Sequence, residues 1–226
     1  MTAATTSAGG NVRTDSVRIP SGTVTLSADL AIPDGAHGLV IFAHGSGSGR
    51  HSPRNRSVAA ALQRAGFATL LLDMLTPDEE RLDMVSSGYR FDIPFLSTRL
   101  SRAVEWAHLR PDVGGLPIGL FGASTGAAAA LVTAARCPEL ITAVVSRGGR
   151  PDLAWDVLAR VEAPTLLLVG GRDTPVLHLN REAARRMRCV HEVVLVPGAS
   201  HLFEEAGTLD RVTALATDWF ERHLPT

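Results

Sequence analysis

The sequence has 226 residues, 45% of them hydrophobic and 20% charged, which is ample for one globular domain with a sizeable core. A formal net charge of −1, with acids and bases well mixed, excludes the charge pattern of a nucleic-acid or anionic-membrane binder. Every Lys/Arg position is arginine, so a P-loop lysine, a Schiff-base lysine and lysine-attached cofactors are excluded as well.

This arginine- and alanine-rich usage fits a GC-rich bacterial genome, and no cofactor is expected. Cys137 and Cys189 form no C-x-x-C pair and are expected to be reduced structural thiols. The opening MTAATTSAGG lacks a basic segment followed by an apolar one, so a signal peptide is not expected. No apolar run is long enough to span a bilayer. The expectation is a cytoplasmic protein with a disordered tail over residues 1–12 and a single domain over 13–226. Its oligomeric state is open.

Residues 16–19 and 23–32 alternate apolar and polar around Pro20-Ser21-Gly22, which predicts an antiparallel hairpin at a sheet edge. The continuous apolar run 39–43 reads as a strand buried on both faces, closed by His44-Gly45-Ser46-Gly47-Ser48-Gly49. A helical pattern over 53–65 stops at Gly66, and 68–72 is a second buried strand ending at Asp73. Residues 74–92 are acidic and read as a long irregular connection, a kind of loop that is usually functional or disordered. A helix is expected over 94–109. Strands are expected over 118–121, 140–145, 164–169 and 192–196, with helices to about 136 and over 153–161, 176–188 and 208–223. Strands alternating with helices predict an α/β fold, a mostly parallel doubly wound sheet flanked by helices.

The chemistry centres on residues 116–130, LPIGLFGASTGAAAA. An apolar strand, a turn of small residues and an alanine-rich helix follow one another directly. That context turns G-x-S-x-G into a nucleophile elbow, with Ser124 held at the tip in a strained conformation. A serine hydroxyl needs a base to take its proton, and the base needs a carboxylate to orient it. Functional groups of such sheets gather at the carboxyl ends of the strands. There the chain offers Asp173 after a glycine pair and His201 in the loop leaving the last strand. The order Ser124, Asp173, His201 is that of α/β-hydrolases.

Asp152 and Asp156 are rival acids, and His178, His191 and His223 are rival bases. Two of those histidines sit on predicted helices, and His191 precedes its strand. His51 and His108 read as solvated, and His44 as a loop-shaping residue. The expected oxyanion donors are the backbone N–H groups of Thr125, at a helix N-terminus, and Ser46, in the glycine-rich loop. That loop lacks both G-K-[ST] and a G-x-G-x-x-G running into a helix, so it is not read as a nucleotide site. No His/Cys/Asp/Glu set has metal-ligand spacing, and none is expected to bind metal.

These residues resemble a known family. HGSGSG at 44–49, GASTG at 122–126, GGRD at 170–173 and PGASHLFEE at 197–205 look like a small α/β-hydrolase of the dienelactone-hydrolase-like group. HSPRNR at 51–56 and VSRGGRPDL at 145–153 resemble a bacterial subset, some members of which are joined to a phosphoribosyltransferase domain. The resemblance implies Ser124, Asp173 and His201 as the triad. Dienelactone hydrolases proper use cysteine as nucleophile, so Ser124 favours a serine esterase.

The expected function is hydrolysis of small carboxylic esters or lactones through an acyl-enzyme. A thioesterase or small peptidase on the same triad, or a non-catalytic binding partner on the same fold, are the alternatives. Arg54 and Arg147 are candidates to bind a substrate carboxylate, with Arg150 beside them and His44 also near the substrate. Too little chain lies between residues 146 and 163 for a cap domain. The acidic stretch 74–92 would make a poor lid, although Tyr89 and Phe91 are placed to wall the pocket.

Overall fold

The computed structural model describes residues 11–224, so most of the tail expected over 1–12 lies outside the described residues. Strands β1 (Val12–Ser21) and β2 (Val24–Pro33) form the predicted hairpin, paired along their whole length from Val12–Pro33 to Ser21–Val24. β2 pairs antiparallel with β4 (Phe67–Leu72); every later pairing is parallel. With β3 (Gly38–Ala43), β5 (Ile118–Ala123), β6 (Ile141–Arg147), β7 (Thr165–Gly170) and β8 (His191–Val196), the sheet runs β1-β2-β4-β3-β5-β6-β7-β8.

Every residue of β3, β4, β5 and β7 is buried, because helices cover both faces. The alternation of the strand divides the core in two. Val40 and Phe42 of β3 point to one face and pack with Val58 and Leu62 of α1 (Pro53–Arg64) and Val212 and Trp219 of α6 (Thr208–His223). Leu39 and Ile41 point to the other. There they meet Leu100 and Val104 of helix Ile93–His108, Leu131 of helix Thr125–Arg136 and Leu158 of the 3-10 segment Pro151–Arg160. The helix over Thr174–Ala184 packs on the same side through Ala183.

The acidic stretch is the main departure from expectation. It contains a ten-residue helix, so the helices in chain order are α1, α2 (Pro77–Ser86), α3 (Ile93–His108), α4 (Thr125–Arg136), α5 (Thr174–Ala184) and α6. α2 is closed at its start by a capping box in which Thr76 and Glu79 satisfy each other's backbone N–H. The short helix expected over 153–161 is the 3-10 segment, and it is all that stands between β6 and β7 apart from short connections. A cap domain is absent there. No described helix is long and apolar enough to cross a membrane.

The central helix sets the position of the functional edge. Half of the residues of α4 are alanine and it lies close on the sheet, with its residues Thr125 to Ala134 buried. That approach has room only for glycine at two points. A Cβ on Gly126 would collide with the carbonyls of Ala43 and His44, and one on Gly122 with the backbone of Ala127. The carboxyl ends of β3 and β5 are thereby brought together, and the loops that leave them face one another.

Candidate active site

Ser124 sits between β5 and α4 with φ 51° and ψ −119°, a conformation that side chains other than glycine rarely adopt. The surroundings hold it there. Its N–H donates to the Arg147 carbonyl at 3.2 Å, and its own carbonyl accepts from Ala127 and Arg150, each at 3.1 Å. The strained tip expected from the sequence is therefore present, and it aims the hydroxyl off the sheet edge.

Two further loops reach the same point. Asp173 occupies the position before α5, where an aspartate would ordinarily cap the helix, yet its side chain makes no cap bond. Its carboxylate turns instead to His201, with Oδ2 2.6 Å from Nδ1. His201 Nε2 in turn faces Ser124 Oγ at 3.4 Å. With Nδ1–H donated to Asp173, Nε2 is left as an acceptor for the serine proton.

The His201 loop is built to hold that ring. Gly198 and Phe203 take positive φ, Phe203 is buried beneath, and the Glu205 carboxylate accepts from the Ser200 N–H at 3.0 Å while pairing with Arg172. The Ser200 N–H, and to a lesser extent Arg172, hold the Glu205 carboxyl down at about 2. This clamp therefore persists well into acid.

The other candidate acids and bases lie elsewhere. Asp152 is engaged by Arg150 through two bonds of 2.7 and 2.8 Å. His178 lies on α5, His191 opens β8 with Nδ1 at the Cys189 carbonyl, and His223 stacks on Trp219 at the end of α6. Cys137 is buried and Cys189 partly so, and both are free.

Facing Ser124 is the glycine-rich loop after β3. A Cβ on Gly45 would come within 3.1 Å of the Ser124 Cβ, so the loop runs against the elbow. Among the described residues, the Ser46 and Thr125 N–H groups have no carbonyl acceptor. His44 shapes this loop. It is buried; Nε2 accepts from the Met74 N–H at 3.0 Å, and Nδ1 donates to the Gly45 carbonyl at 2.9 Å. Burial lowers its pKa and keeps the ring neutral.

The far end of the loop is tied by Asp73, which accepts from the Arg50 N–H at 2.7 Å and pairs with the Arg50 guanidinium, itself 3.5 Å from Asp29. Sequence reasoning missed this anchor. Arg50 and Asp73 stand far apart in the chain, and only the parallel pairing of β3 with β4 brings their ends together.

A cleft of about 560 Å³ opens beside Thr125 and the glycine-rich loop. Its floor is apolar, from Met74, Leu75 and Leu96, and α2 supplies Asp83 and Met84 as the opposite wall. His51, expected to be merely solvated, is exposed on its rim, and Arg54 also lines it. Tyr89 and Phe91, expected as a wall, are not. Tyr89 packs on Phe95 at 5.3 Å and Phe91 points outward, because Asp83 draws the intervening Arg90 inward at 2.6 Å.

Residues 26–224 match the family model described as the dienelactone hydrolase family. Among solved structures, a dienelactone hydrolase from Anabaena variabilis is 52% identical. It superimposes with a TM-score of 0.93, covering 95% of this chain and 99% of that one. Among curated proteins, a Mycobacterium tuberculosis protein named as a phosphoribosyl transferase is 53% identical over 213 residues, 94% of this chain and 47% of that protein. The chain thus spans about half the length of that relative. A Bradyrhizobium protein named as a 2-oxo-3-(5-oxofuran-2-ylidene)propanoate lactonase is 27% identical over 168 residues, 66% of this chain and 67% of that protein. With the family match spanning β2 to α6, and a solved relative that follows the chain over nearly its whole length, the protein belongs to the dienelactone hydrolase family of α/β-hydrolases.

Proposed function

We propose that the protein is a serine hydrolase that cleaves small carboxylic esters or lactones through an acyl-enzyme. The observation that carries this reading is the bonded line from Asp173 through His201 to Ser124, which ends at two N–H groups without carbonyl acceptors. The lactonase name of the Bradyrhizobium relative supports the lactone part.

In this mechanism Ser124 Oγ attacks the carbonyl carbon and passes its proton to His201 Nε2. Asp173 orients the ring and stabilises the imidazolium. The carbonyl oxygen, now negative, is held by the Ser46 and Thr125 N–H groups, with the start of α4 adding a favourable dipole. Collapse expels the alcohol, which takes the proton from His201. Water then repeats the sequence on the acyl-enzyme, releasing the acid and restoring Ser124. The 3.4 Å resting distance is ordinary for such a pair without substrate.

The test is active-site labelling with a fluorophosphonate together with turnover of p-nitrophenyl acetate. Wild-type protein should label at Ser124 and turn over the ester, and Ser124→Ala should lose labelling and a factor of about 10⁴ or more in kcat. Asp173→Asn should be less damaging than His201→Ala. Undiminished turnover by Ser124→Ala would overturn the assignment.

A further inference from the structure

Asn180 lies on α5, the helix that begins directly after Asp173, and is 0% exposed. Its Nδ2 donates to two carbonyls: that of Val176, one turn earlier in the same helix, at 2.8 Å, and that of Gly149 at 3.0 Å. The other half of the amide, Oδ1, is enclosed and has no partner. A buried acceptor left unsatisfied costs stability, and an apolar side chain of similar size would avoid that cost. What only the amide supplies at this position is the bond to Gly149.

The loop that Asn180 grips, residues 147–150, frames the nucleophile. Arg147 is buried at the end of β6 and does not line the cleft; its carbonyl accepts the Ser124 N–H at 3.2 Å. Arg150 donates its own N–H to the Ser124 carbonyl at 3.1 Å. Between them, Gly148 takes φ 53°, and a Cβ there would stand 3.6 Å from the His201 ring. Gly149 is pressed against the first turn of α4. A Cβ on it would come within 2.7 Å of the Ala127 side chain and would collide with Ser146 Oγ. The loop thus meets Ser124 through its backbone and His201 through Gly148, but it meets α5 through Asn180.

The acid needs such a tie. The Asp173 N–H closes its turn on the Gly170 carbonyl at 2.9 Å, but its carboxylate makes no cap bond that would fix it to α5. Among the described residues, the bond from Asn180 to Gly149 is the one hydrogen bond that joins α5 to the rest of the fold beyond its flanking turns. We propose that Asn180 is a positioning residue of the triad: by locking α5 to the loop that frames Ser124, it fixes Asp173, and through it His201, relative to the nucleophile. The proposal deepens the esterase reading and rests on it. Triad geometry is sensitive to such a tie, because a displacement of about 1 Å in a reacting group can cost on the order of a hundredfold in rate.

The experiment uses two replacements and one control. Asn180→Leu keeps the volume and removes both donors. Asn180→Ser leaves a hydroxyl that bonds back to the Val176 carbonyl of its own helix, so only the reach to Gly149 is lost; it carries the test if the leucine variant does not fold. Val104→Ala, in the core under α3, destabilises the fold without touching α5. With p-nitrophenyl acetate, the Asn180 variants should lose about tenfold or more in kcat with KM little changed, because groups that act on the bound ester are displaced. The rate of labelling by a fluorophosphonate should fall by a similar factor.

The readout that a merely structural role would not move is the downfield proton resonance of the His201 Nδ1–H bonded to Asp173, followed by NMR. It should shift or broaden in both Asn180 variants and stay in place in Val104→Ala, even where the thermal midpoints of the three match. An unmoved resonance, or a loss of kcat no larger than that of Val104→Ala, overturns the proposal while leaving an esterase. Failure of the esterase reading looks different: wild-type protein turns over no ester and Ser124 does not label.

Discussion

A histidine beside an oxyanion loop invites a catalytic role, but both ring nitrogens of His44 are already engaged, one by the Met74 N–H and one by the Gly45 carbonyl. In the proposed mechanism its part would be to fix the loop that carries the Ser46 N–H. Protonation would put a donor against the Met74 N–H, and burial opposes the charge as well, so its pKa lies below the usual histidine value near 6.5. The sign for stability follows. Below about pH 6.5 the unfolded chain binds a proton that the folded chain does not, so stability is lost as pH falls from 6.5 toward the folded pKa. His223 is lowered as well, by burial and Arg222, and contributes in the same direction. The thermal midpoint should therefore drop as the pH falls below about 6.5 in wild-type protein, and drop less in His44→Gln. An unchanged slope in that variant would move the effect to His223. The same variant should lose about tenfold in kcat on p-nitrophenyl acetate, as the oxyanion donor loosens. Residues such as Ser124, Asp173 and His201 are legible in the sequence because each ends a strand at one sheet edge. The Arg50–Asp73 tie of the glycine-rich loop is not, since only the pairing of β3 with β4 brings the two ends together.

Among the elements, the central strands were legible because helices on both faces force continuous apolar runs, and the edge hairpin because its residues alternate. α2 was not, and the reason is physical. It buries only Asp83, so it presents no apolar stripe to read. Its stability comes from its ends and from charge. Thr76 and Glu79 close the first turn, Arg99 of α3 grips Glu79, and Asp83 accepts from the N–H groups of Tyr89 and Arg90 and from the Arg90 guanidinium. The one sequence signal was Thr76-Pro77-Asp78-Glu79, a threonine three residues before a glutamate with proline at the first helical position. Such a helix is anchored at few points, and losing one should free it. Asp83→Ala strands the Arg90 guanidinium and should cost about 3 kcal/mol of local stability. Hydrogen exchange across α2 and the turn to Asp92 should quicken while the sheet stays protected. Because Asp83 and Met84 wall the cleft, KM for p-nitrophenyl butyrate should rise with it. Unchanged exchange there would mean that the capping box alone holds the helix.

At the scale of the whole molecule, the question is how much of an acyl chain the architecture can enclose. The apolar floor of Met74, Leu75 and Leu96 lies under the cleft, and the ten-residue 3-10 segment between β6 and β7 packs into the same core layer without lining the cleft. α2 is the remaining cover, and its outward residues do not close down. Met84 is 72% exposed and Val85 91%, and the first turn of the helix is acidic. An acyl tail longer than the floor would therefore lie against water. Each methylene that is buried contributes about 0.8 kcal/mol, so rates should climb from acetate to butyrate and then level or fall. With no lid to displace, activity should also show no jump when the ester passes its solubility limit and forms an interface. A p-nitrophenyl ester series from two to twelve carbons, run below and above that limit, checks both points. Preference for ten carbons or more would require α2 to close over the tail, and hydrogen exchange of residues 77–86 with and without a long-chain phosphonate would then have to show that ordering.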